Sequence, residues 1–399
     1  MTILLTSTQI NNIKRAVREG LKTFVRPEPM GLDEWANENF YLSSESSYTE
    51  GRWESLPFQV AILNAIGHDD IRTVNFIKSA RVGYSQMIRA AVGYFTEHKS
   101  RNQLLFQPTN GAAAGFMKAH IETMIRDVPV VRALAPWIGS KHRDNTLDTK
   151  RFSNGKQLWV LGGESSKNYR EKSTDVNYYD ELSAFCDDVE KEGSPTFLGD
   201  KRLEGSVFPK SVRGSTPKLL GVCQISKAAS ESDFIFKFSV PCPHCEHEQV
   251  LEWGAKDCDH GFKWLNDDAK TARYACIECG VLVEQRDFIP RFKDGVWRDG
   301  ETWTKDGLTY YQNDKKIETP EAVSFHIWTA YSPFTTWVRI VEDFLKTKGD
   351  QSRLKSFVNT TLGECWDDTE GEKIEPNALY MRREFYRHDV PVDNCIMTA

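Results

Sequence analysis

The chain has 399 residues, a length that predicts two or three domains. Hydrophobic residues make up 40% and charged residues 27%, a globular balance that excludes a disordered protein. Its 51 basic and 57 acidic residues leave a net charge of −6, which argues against a protein that coats nucleic acid and permits one with a local basic track. The N-terminal residues lack the features of a signal peptide, and no stretch reaches the roughly 18 apolar residues of a membrane span. We therefore expect a cytoplasmic protein without a membrane partner.

Residues 1–50 are expected to form an N-terminal helix over 9–24 and a polar linker. From 51 to 235, short apolar runs alternate with helical patterns, one beginning near Ser85 and another spanning 111–126. Apolar strands that alternate with helices indicate an α/β fold of the P-loop NTPase type, with a mostly parallel sheet and helices on both faces. The expected strands are 73–79, 102–108, 156–163, 175–181 and 218–226.

Residues 78–85 follow a strand and precede a helix, as a phosphate-binding loop does. Only Gly83 and Ser85 fit the pattern G-x-x-x-x-G-K-[ST], because Lys78 replaces its first glycine and Tyr84 its lysine. The physical requirements are still met: Gly83 permits close approach of the backbone, Ser85 offers a hydroxyl to Mg²⁺, and Lys78 can reach phosphates across the loop. This indicates an ATP site.

Three further loop residues, Ser79, Arg81 and Tyr84, join this candidate site as ATP-binding residues, and Arg81 is placed to touch phosphate as an arginine finger within the same chain. The alternative is a plain strand–turn–helix whose Lys and Arg are solvated. Upstream, Gln59 is a candidate reader of an adenine edge, and Tyr48 is a candidate stacking partner for the ring. Each of these two also has an ordinary structural interpretation.

The strand at 175–181 ends in Asp180 and Glu181. An ATPase needs one carboxylate to organise Mg²⁺ and a second to activate the attacking water, so we assign Asp180 to Mg²⁺ and Glu181 to catalysis. The alternative is an ordinary acidic turn. A short turn of Gly214, Ser215 and Thr216 is expected to open the next strand. Its two hydroxyls can sense the γ-phosphate, and the turn can transmit hydrolysis to a moving element.

Residues 236–290 contain two CxxC pairs, which predict a small β-rich module of the zinc-ribbon type. Four thiolates from two tight turns suit a closed, structural Zn²⁺ site, and the alternative is a set of thiols without a metal. The predicted ligands are Cys242, Cys245, Cys276 and Cys279. Residues 291–399 are expected to hold short strands, then helices over 336–348 and from 351, as the last part of the ATPase region and a linker.

Together these residues resemble the large terminase subunit of lambda-like bacteriophages. The resemblance rests on the loop KSARVGYS, the acidic strand NYYDE, the turn RGSTP, the CPHC and CIEC pairs and the segment FVNTTLGE, and it covers the chain from about residue 25 onward. A loop with its lysine moved to the front is peculiar to these motors. The loop that fails the general P-loop pattern is therefore the most specific feature of the resemblance.

The resemblance implies an ATP-driven motor that moves double-stranded viral DNA into a procapsid in the host bacterial cytoplasm. It implies a homo-oligomeric ring, a terminase small subunit and the capsid portal as partners. It also implies a nuclease domain, and the chain ends near 392–399, about where we expect the first strand of that domain. We therefore expect ATP hydrolysis and translocation without an endonuclease.

Two other functions fit parts of the sequence. The lack of a lysine at position 84 is compatible with a zinc-ribbon nucleic-acid-binding module on a P-loop-like fold that no longer hydrolyses ATP. An endonuclease active without the missing domain needs a second carboxylate cluster. The acidic stretch near 364–372 is the nearest approach to one, and its pattern is typical of a solvated surface.

Overall fold

The computed structural model of the protein describes residues 6–22, 28–45, 50–254 and 258–368. Its α-helices are α1 (Ser7–Lys22), α2 (Leu32–Asn39), α3 (Pro57–Gly67), α4 (Tyr84–Glu97), α5 (Asn110–Phe116), α6 (Glu122–Asp127), α7 (Pro129–Arg132), α8 (Pro195–Asp200), α9 (Gln224–Ser230), α10 (Gln285–Phe288), α11 (Trp337–Leu345) and α12 (Gln351–Phe357). Two π-helical turns follow α5 and α12, at Met117–Ile121 and Val358–Leu362. Short 3₁₀ turns lie at Ser166–Tyr169, Leu182–Ala184, Lys201–Leu203, Ile289–Asp294 and Thr329–Tyr331.

The strands fall into one large sheet and two small ones. In chain order they are β1 (Tyr41–Leu42), β2 (Gly51–Arg52), β3 (Thr73–Lys78), β4 (Gln103–Gln107), β5 (Thr149–Arg151), β6 (Gln157–Gly162), β7 (Val176–Asp180), β8 (Lys210–Ser215), β9 (Phe234–Pro241), β10 (Glu248–Val250), β11 (Gly261–Leu265), β12 (Asp268–Ala275), β13 (Leu282–Val283), β14 (Val296–Asp299), β15 (Thr302–Thr304), β16 (Tyr310–Gln312), β17 (Lys315–Ile317) and β18 (Ala322–Ile327).

The large sheet has the order β17-β16-β15-β14-β9-β18-β3-β8-β7-β4-β6-β5, and β10 pairs with β9. Its central strands, from β9 to β6, are all parallel, and its two edges are antiparallel. In a parallel sheet the carboxyl ends of the strands meet at one edge, so the residues that follow β3, β7 and β8 become neighbours. The mostly parallel α/β fold expected from the sequence is confirmed.

Helices and loops cover both faces of the central sheet. Tyr178 and Tyr179, adjacent on β7, are both fully buried and belong to two different hydrophobic clusters. Successive side chains on a strand point to opposite faces, so two burials in a row require cover on each side. α3 and α4 pack on the Tyr178 side, and α9 contributes Ile225 to the Tyr179 side. None of the helices in the described ranges is long and apolar enough to cross a membrane.

Four of the five expected strands match β3, β4, β6 and β7, but the strand expected at 218–226 is wrong. The strand beside β7 is β8, and the later segment forms a turn and then α9. The turn residues Gly214 and Ser215 consequently close a strand instead of opening one. Lys210 at the start of β8 is buried and donates to the carbonyls of Ala65 and His68, an environment that a polar strand pattern does not reveal.

The module boundary expected near 235 lies at the start of β9, a strand of the main sheet. The Cys-containing segment leaves the end of β9 and returns by way of α10 to β14, which pairs with β9 again. Between them, β11, β12 and β13 form a separate three-stranded antiparallel sheet. The four-part division of the chain stays a proposal.

Candidate active site

The loop between β3 and α4 turns sharply at Gly83, which caps the helix with a left-handed backbone at φ 85°. A side chain at this position would place its Cβ 2.5 Å from the Nε2 atom of Gln59. Both the positive φ and the lack of space therefore require glycine. Arg81, two residues earlier, also has a positive φ of 64°.

Two backbone hydrogen bonds to the C-terminal part of the chain hold the beginning of the loop in place. The amide of Ser79 donates to Ile327 at 3.1 Å, and the amide of Ala80 donates to Thr360 at 2.8 Å. The Ser79 hydroxyl, which is fully buried, accepts from Thr329 at 2.9 Å. Ser79 therefore faces the protein interior and supports the loop, although the sequence placed it among the ATP-binding residues.

Gln59 also supports the loop from within. Its side chain is 1% exposed, its Nε2 donates to the Val82 carbonyl at 3.1 Å, and its Oε1 accepts from the Leu56 amide at 2.9 Å. The polar ends of the amide are thus used on backbone groups, and this arrangement does not present it to an adenine. The predicted stacking residue Tyr48 lies outside the described residues.

The outer half of the loop has a different character. Ser85 is half-buried in the first turn of α4, and Arg81 is exposed. Ser332 donates to the carbonyl of Arg81 at 2.9 Å, which fixes the backbone at that point. Arg81 and Ser85 therefore lie at the N-terminus of α4, where the helix favours anions.

Asp180 ends β7 with a carboxylate that is almost completely buried. Its Oδ2 accepts from Gln107 at 2.9 Å, whereas Oδ1 is buried without a hydrogen-bond partner. Burial raises the pKa of Asp180, and the nearby Lys78 ammonium acts in the opposite direction. A buried carboxylate oxygen without a partner is costly unless a cation uses it, so this donor set fits Mg²⁺.

Glu181 follows directly in a left-handed conformation, with φ 57° and ψ 47°. Its Oε1 lies 2.6 Å from the ammonium of Lys78, a side chain that is 7% exposed. The hydroxyls of Ser215 and Thr216 each lie 3.4 Å from its Oε2. The structure therefore brings together Lys78, Glu181 and the hydroxyls at the end of β8, which the sequence had placed in a single site.

Tyr84 occupies the position of the usual P-loop lysine and is buried under this cluster. Its ring contacts Gly214 so closely that a Cβ on the glycine would lie 2.1 Å from the Cζ atom. The Lys78 ammonium is 5.5 Å from the ring centre. Burial, with the Asp180 carboxylate next in effect, raises the pKa of Tyr84 well above its usual range. Tyr84 therefore fills space beneath the loop, and this arrangement does not present it to ATP, although the sequence placed it among the ATP-binding residues.

Gln107 is a site residue that the sequence did not single out. It ends β4, the strand adjacent to β7, and its side chain is 6% exposed. The signal available from the sequence was its place at the carboxyl end of a predicted strand. Recognising it also required the strand order, which puts β4 next to the acidic strand.

The two CxxC pairs form matching turns. In the turn after β9, the Cys242 amide donates to His247, and the Glu246 amide donates to Cys242. In the turn after β12, Cys276 donates to Val281, and Gly280 donates to Cys276 in the same pattern. Glu246 and Gly280, the residues after each second cysteine, both have a positive φ.

The four sulfur atoms of these turns all lie within 4.8 Å of one another, and those of Cys245 and Cys276 are 3.7 Å apart. A tetrahedral Zn²⁺ with Zn–S bonds of about 2.3 Å requires sulfur atoms about 3.8 Å apart. The cluster fits such an ion. Cys258 lies outside it, with its sulfur 3.0 Å from Nδ1 of His260.

A parallel sheet with a tight strand-to-helix loop, a cation at the loop and adjacent carboxylates on a neighbouring strand is the architecture of a P-loop ATPase. The family model of the phage terminase large subunit gpA, ATPase domain, matches residues 47–297. The chain therefore belongs to the gpA family of phage terminase large subunits.

The chain is 53% identical over 398 residues to the terminase large subunit of Escherichia phage lambda, which covers 99% of this chain and 62% of that protein. It is also 53% identical to the terminase large subunit of Enterobacteria phage P21, over 97% of this chain and 61% of the other. The chain thus spans about three-fifths of the length of these relatives. The large terminase ATPase domain of Thermus phage P74-26 aligns over 76% of this chain and 92% of its own, with 12% identity and a TM-score of 0.39.

A second family model, the endonuclease domain of the terminase large subunit gpA, matches residues 322–399. The expectation that the chain lacks this domain is therefore wrong, and the match conflicts with the expectation that the chain has no endonuclease activity. The match begins at 322, far before the point near 392 where the sequence suggested a first nuclease strand. The structure describes its first part, to residue 368, and there β18 lies between β3 and β9 in the main sheet.

Proposed function

We propose that this chain binds and hydrolyses ATP at the loop between β3 and α4 and uses the energy to move double-stranded DNA into a viral procapsid. The observation that carries the proposal is the contact of Lys78 with Glu181 beside the unpartnered Oδ1 of Asp180. The family match and the two close relatives support DNA as the substrate.

The proposed roles follow from the geometry. Lys78 and Arg81 would bind phosphates, with the amides at the N-terminus of α4. Ser85 and Asp180 would hold Mg²⁺, which neutralises charge on the phosphates when it is bound. Glu181 would orient and deprotonate the attacking water.

The turn at Ser215 and Thr216 would couple hydrolysis to movement. Both hydroxyls contact the carboxylate that is proposed to act in catalysis, so a change at Glu181 reaches the end of β8 directly. As partners we propose the terminase small subunit, the capsid portal and further copies of this chain in a ring. The site of action is the cytoplasm of the bacterial host.

The test is DNA-stimulated ATP hydrolysis by the purified chain and by Lys78→Ala. We expect turnover by the parent chain and a loss of about 1,000-fold or more in the variant, the size of effect seen when a charge-stabilising group is removed from such sites. If the parent chain binds ATP and never hydrolyses it, even with DNA and a small subunit, the chain is a nucleic-acid-binding module on an inactive fold.

Cutting of DNA is a second candidate activity, and the endonuclease-domain match is what favours it. We propose to measure it separately, by incubating the chain with Mg²⁺ and plasmid DNA without ATP. Lys78→Ala should leave any nicking unchanged if the two activities use different sites. A loss of both activities in that variant would place them at one site.

We also propose that the four-cysteine cluster holds one structural Zn²⁺. The four thiolates satisfy all positions of a tetrahedral ion, which leaves none open for catalysis. Elemental analysis of the purified chain should give one zinc per molecule. A content well below one, in protein purified without chelators, would refute the assignment.

A further inference from the structure

A cavity of about 530 Å³ lies between β11 and the end of α11, and none of its lining residues belongs to the candidate ATP site. Its walls are aromatic, and it is bordered by Lys263, Lys348 and Asp267. Such a volume is in the range of pockets that hold small organic groups. The aromatic walls are Trp253, Phe262, Trp264 and Phe344.

The walls are held by a close approach of two backbone segments. The Phe262 amide donates to the Trp253 carbonyl at 3.0 Å. Gly254 and Gly261 make this contact possible, because a Cβ on Gly261 would lie 2.8 Å from the Trp253 carbonyl and one on Gly254 would lie 2.6 Å from that of His260. The pocket is therefore built into the fold.

The rings lie close to one another without closing the space. Trp253 is 5.6 Å from Trp264 and 5.0 Å from Phe344, centre to centre, and Trp264 is 5.6 Å from Phe344. All three remain partly exposed. Trp253 is also stacked on Phe262 at 5.5 Å, so the partly exposed surface that Trp264 and Phe344 offer to the cavity is what suits a flat aromatic guest.

The charges at the rim favour a guest attached to phosphate. Lys348, just after α11, and Asp267 both line the pocket and pair at 2.6 Å, with both side chains more than half exposed. Lys263 donates to the carbonyl of Cys258. An exposed pair of this kind is weak, and its lysine can be drawn to a phosphate at little cost.

We propose that this pocket, defined by Trp253, Trp264 and Phe344, takes the base of an unpaired nucleotide of DNA. The bases of an intact duplex are stacked and cannot enter a cavity, so the pocket would act on single-stranded ends or on a base turned out of the helix. This inference depends on the proposed function for its substrate class. It adds a second contact with DNA, located beside the cysteine module.

The test compares binding of a 12-nucleotide oligo-dT and of a blunt duplex to the full chain, by fluorescence anisotropy. Trp264→Ala should weaken binding of the single strand by about 5- to 150-fold, the range for loss of one stacked base. Binding of the blunt duplex should stay within twofold. Trp264→Phe keeps a ring and should restore most of the single-strand affinity.

Trp303→Ala is the matched control, because Trp303 stacks on Tyr311 at 4.4 Å in the antiparallel edge of the main sheet and does not line the pocket. It should bind both DNAs as the parent chain does. Equal single-strand affinity in Trp264→Ala and the parent would overturn the proposal and leave the pocket to a protein partner. Equal losses for single strand and duplex would overturn it too.

The outcomes separate this proposal from the motor. If the chain hydrolyses ATP with duplex DNA and Trp264 makes no difference, the pocket proposal fails alone. If single-strand binding depends on Trp264 and no hydrolysis occurs, the pocket stands and the motor fails. A single strand carrying 5-iododeoxyuridine gives an independent readout, because irradiation should cross-link it to the peptide that contains Trp264.

Discussion

The ammonium of Lys78 lies 2.6 Å from the carboxylate of Glu181, although 103 residues separate the two in the chain. In the proposed function, ATP competes with Glu181 for this lysine, because the phosphates would bind the same ammonium. While the pair persists, the proposed catalytic carboxylate is held by Lys78 and is less available to accept a proton. The proposal thus links binding of the nucleotide to release of Glu181.

This competition predicts that Glu181→Gln and Lys78→Ala have opposite effects on the affinity for ATP. In Glu181→Gln we expect ATP affinity to rise by up to about fivefold, because Lys78 loses a partly exposed ionic partner. The hydrolysis rate should fall about 10²- to 10⁴-fold with the loss of a general base. In Lys78→Ala both affinity and rate should fall.

Equilibrium binding of a fluorescent ATP analogue and steady-state turnover check this prediction. Glu192→Gln provides the control, since Glu192 pairs with Arg170 on the surface and should change neither quantity. A drop in ATP affinity in Glu181→Gln would contradict the competition.

The hydrogen bond from Gln107 to Asp180 predicts a positioning role that is read in the Mg²⁺ dependence. Gln107→Leu should weaken apparent Mg²⁺ affinity about 10- to 100-fold, as the loss of a partner to a metal ligand does. High Mg²⁺ should restore most of the rate. Gln103→Leu is matched, because Gln103 is buried on the same strand and bonds to Val92 and Thr96 instead. ATPase titrations with Mg²⁺ that do not distinguish the two variants would rule out this role.

Most residues of the candidate ATP site could be named from the sequence because they lie in two local units. Lys78, Gly83 and Ser85 belong to one strand–loop–helix unit, and Asp180 and Glu181 end one strand. Parallel pairing alone then brings the strand ends together. The contacts among them had to be seen, since sequence spacing contains no information about the strand order β3-β8-β7.

The position of β18 and its hold on the loop could not be predicted from the sequence, because both depend on contacts between distant parts of the chain. β18 inserts between β3 and β9, and its end holds the loop through the carbonyl of Ile327. The strand error at 218–226 has a local cause, because an apolar run that looked like a strand is broken by a turn with a positive φ at Gly221. The true strand, β8, lacks an apolar pattern because it contains Lys210 and Ser211, whose polar groups bond to the His68 carbonyl and the Asp200 carboxylate.

His326 on β18 predicts a pH dependence of stability. Its Nε2 lies 2.9 Å from the carbonyl of Gly363, and burial lowers the pKa of His326 from 6.5 to about 4. The nearby Lys237 acts in the same direction. Between pH 6.5 and 4 the unfolded chain therefore binds a proton that the folded chain does not, so stability from this residue is lost as pH falls through that window.

Denaturant unfolding of the parent chain and of His326→Gln across pH 4 to 7.5 checks this. The glutamine amide can still donate to Gly363 and does not titrate, so the variant should lose less stability on acidification than the parent. Above pH 7 the difference in stability between the two proteins should stay constant, because His326 is neutral in both states. Parallel curves over the whole range would show that His326 contributes nothing to acid sensitivity.

Removal of zinc should affect the cysteine module before the ATPase sheet. Cys245→Ser deletes one of four clustered thiols, and a structural zinc site typically supplies on the order of 10 kcal/mol to its own domain, so we expect this module to unfold. Hydrogen exchange should then show lost protection in β11, β12 and β13, whereas β3, β7 and β8, which pair with one another in the parallel sheet, retain theirs.

Cys258→Ser is the control, because Cys258 stands outside the cluster and beside His260. Retained zinc and unchanged exchange in Cys245→Ser would mean that the four thiols do not form a metal site, whereas equal effects of the two variants would assign the loss to cysteine packing.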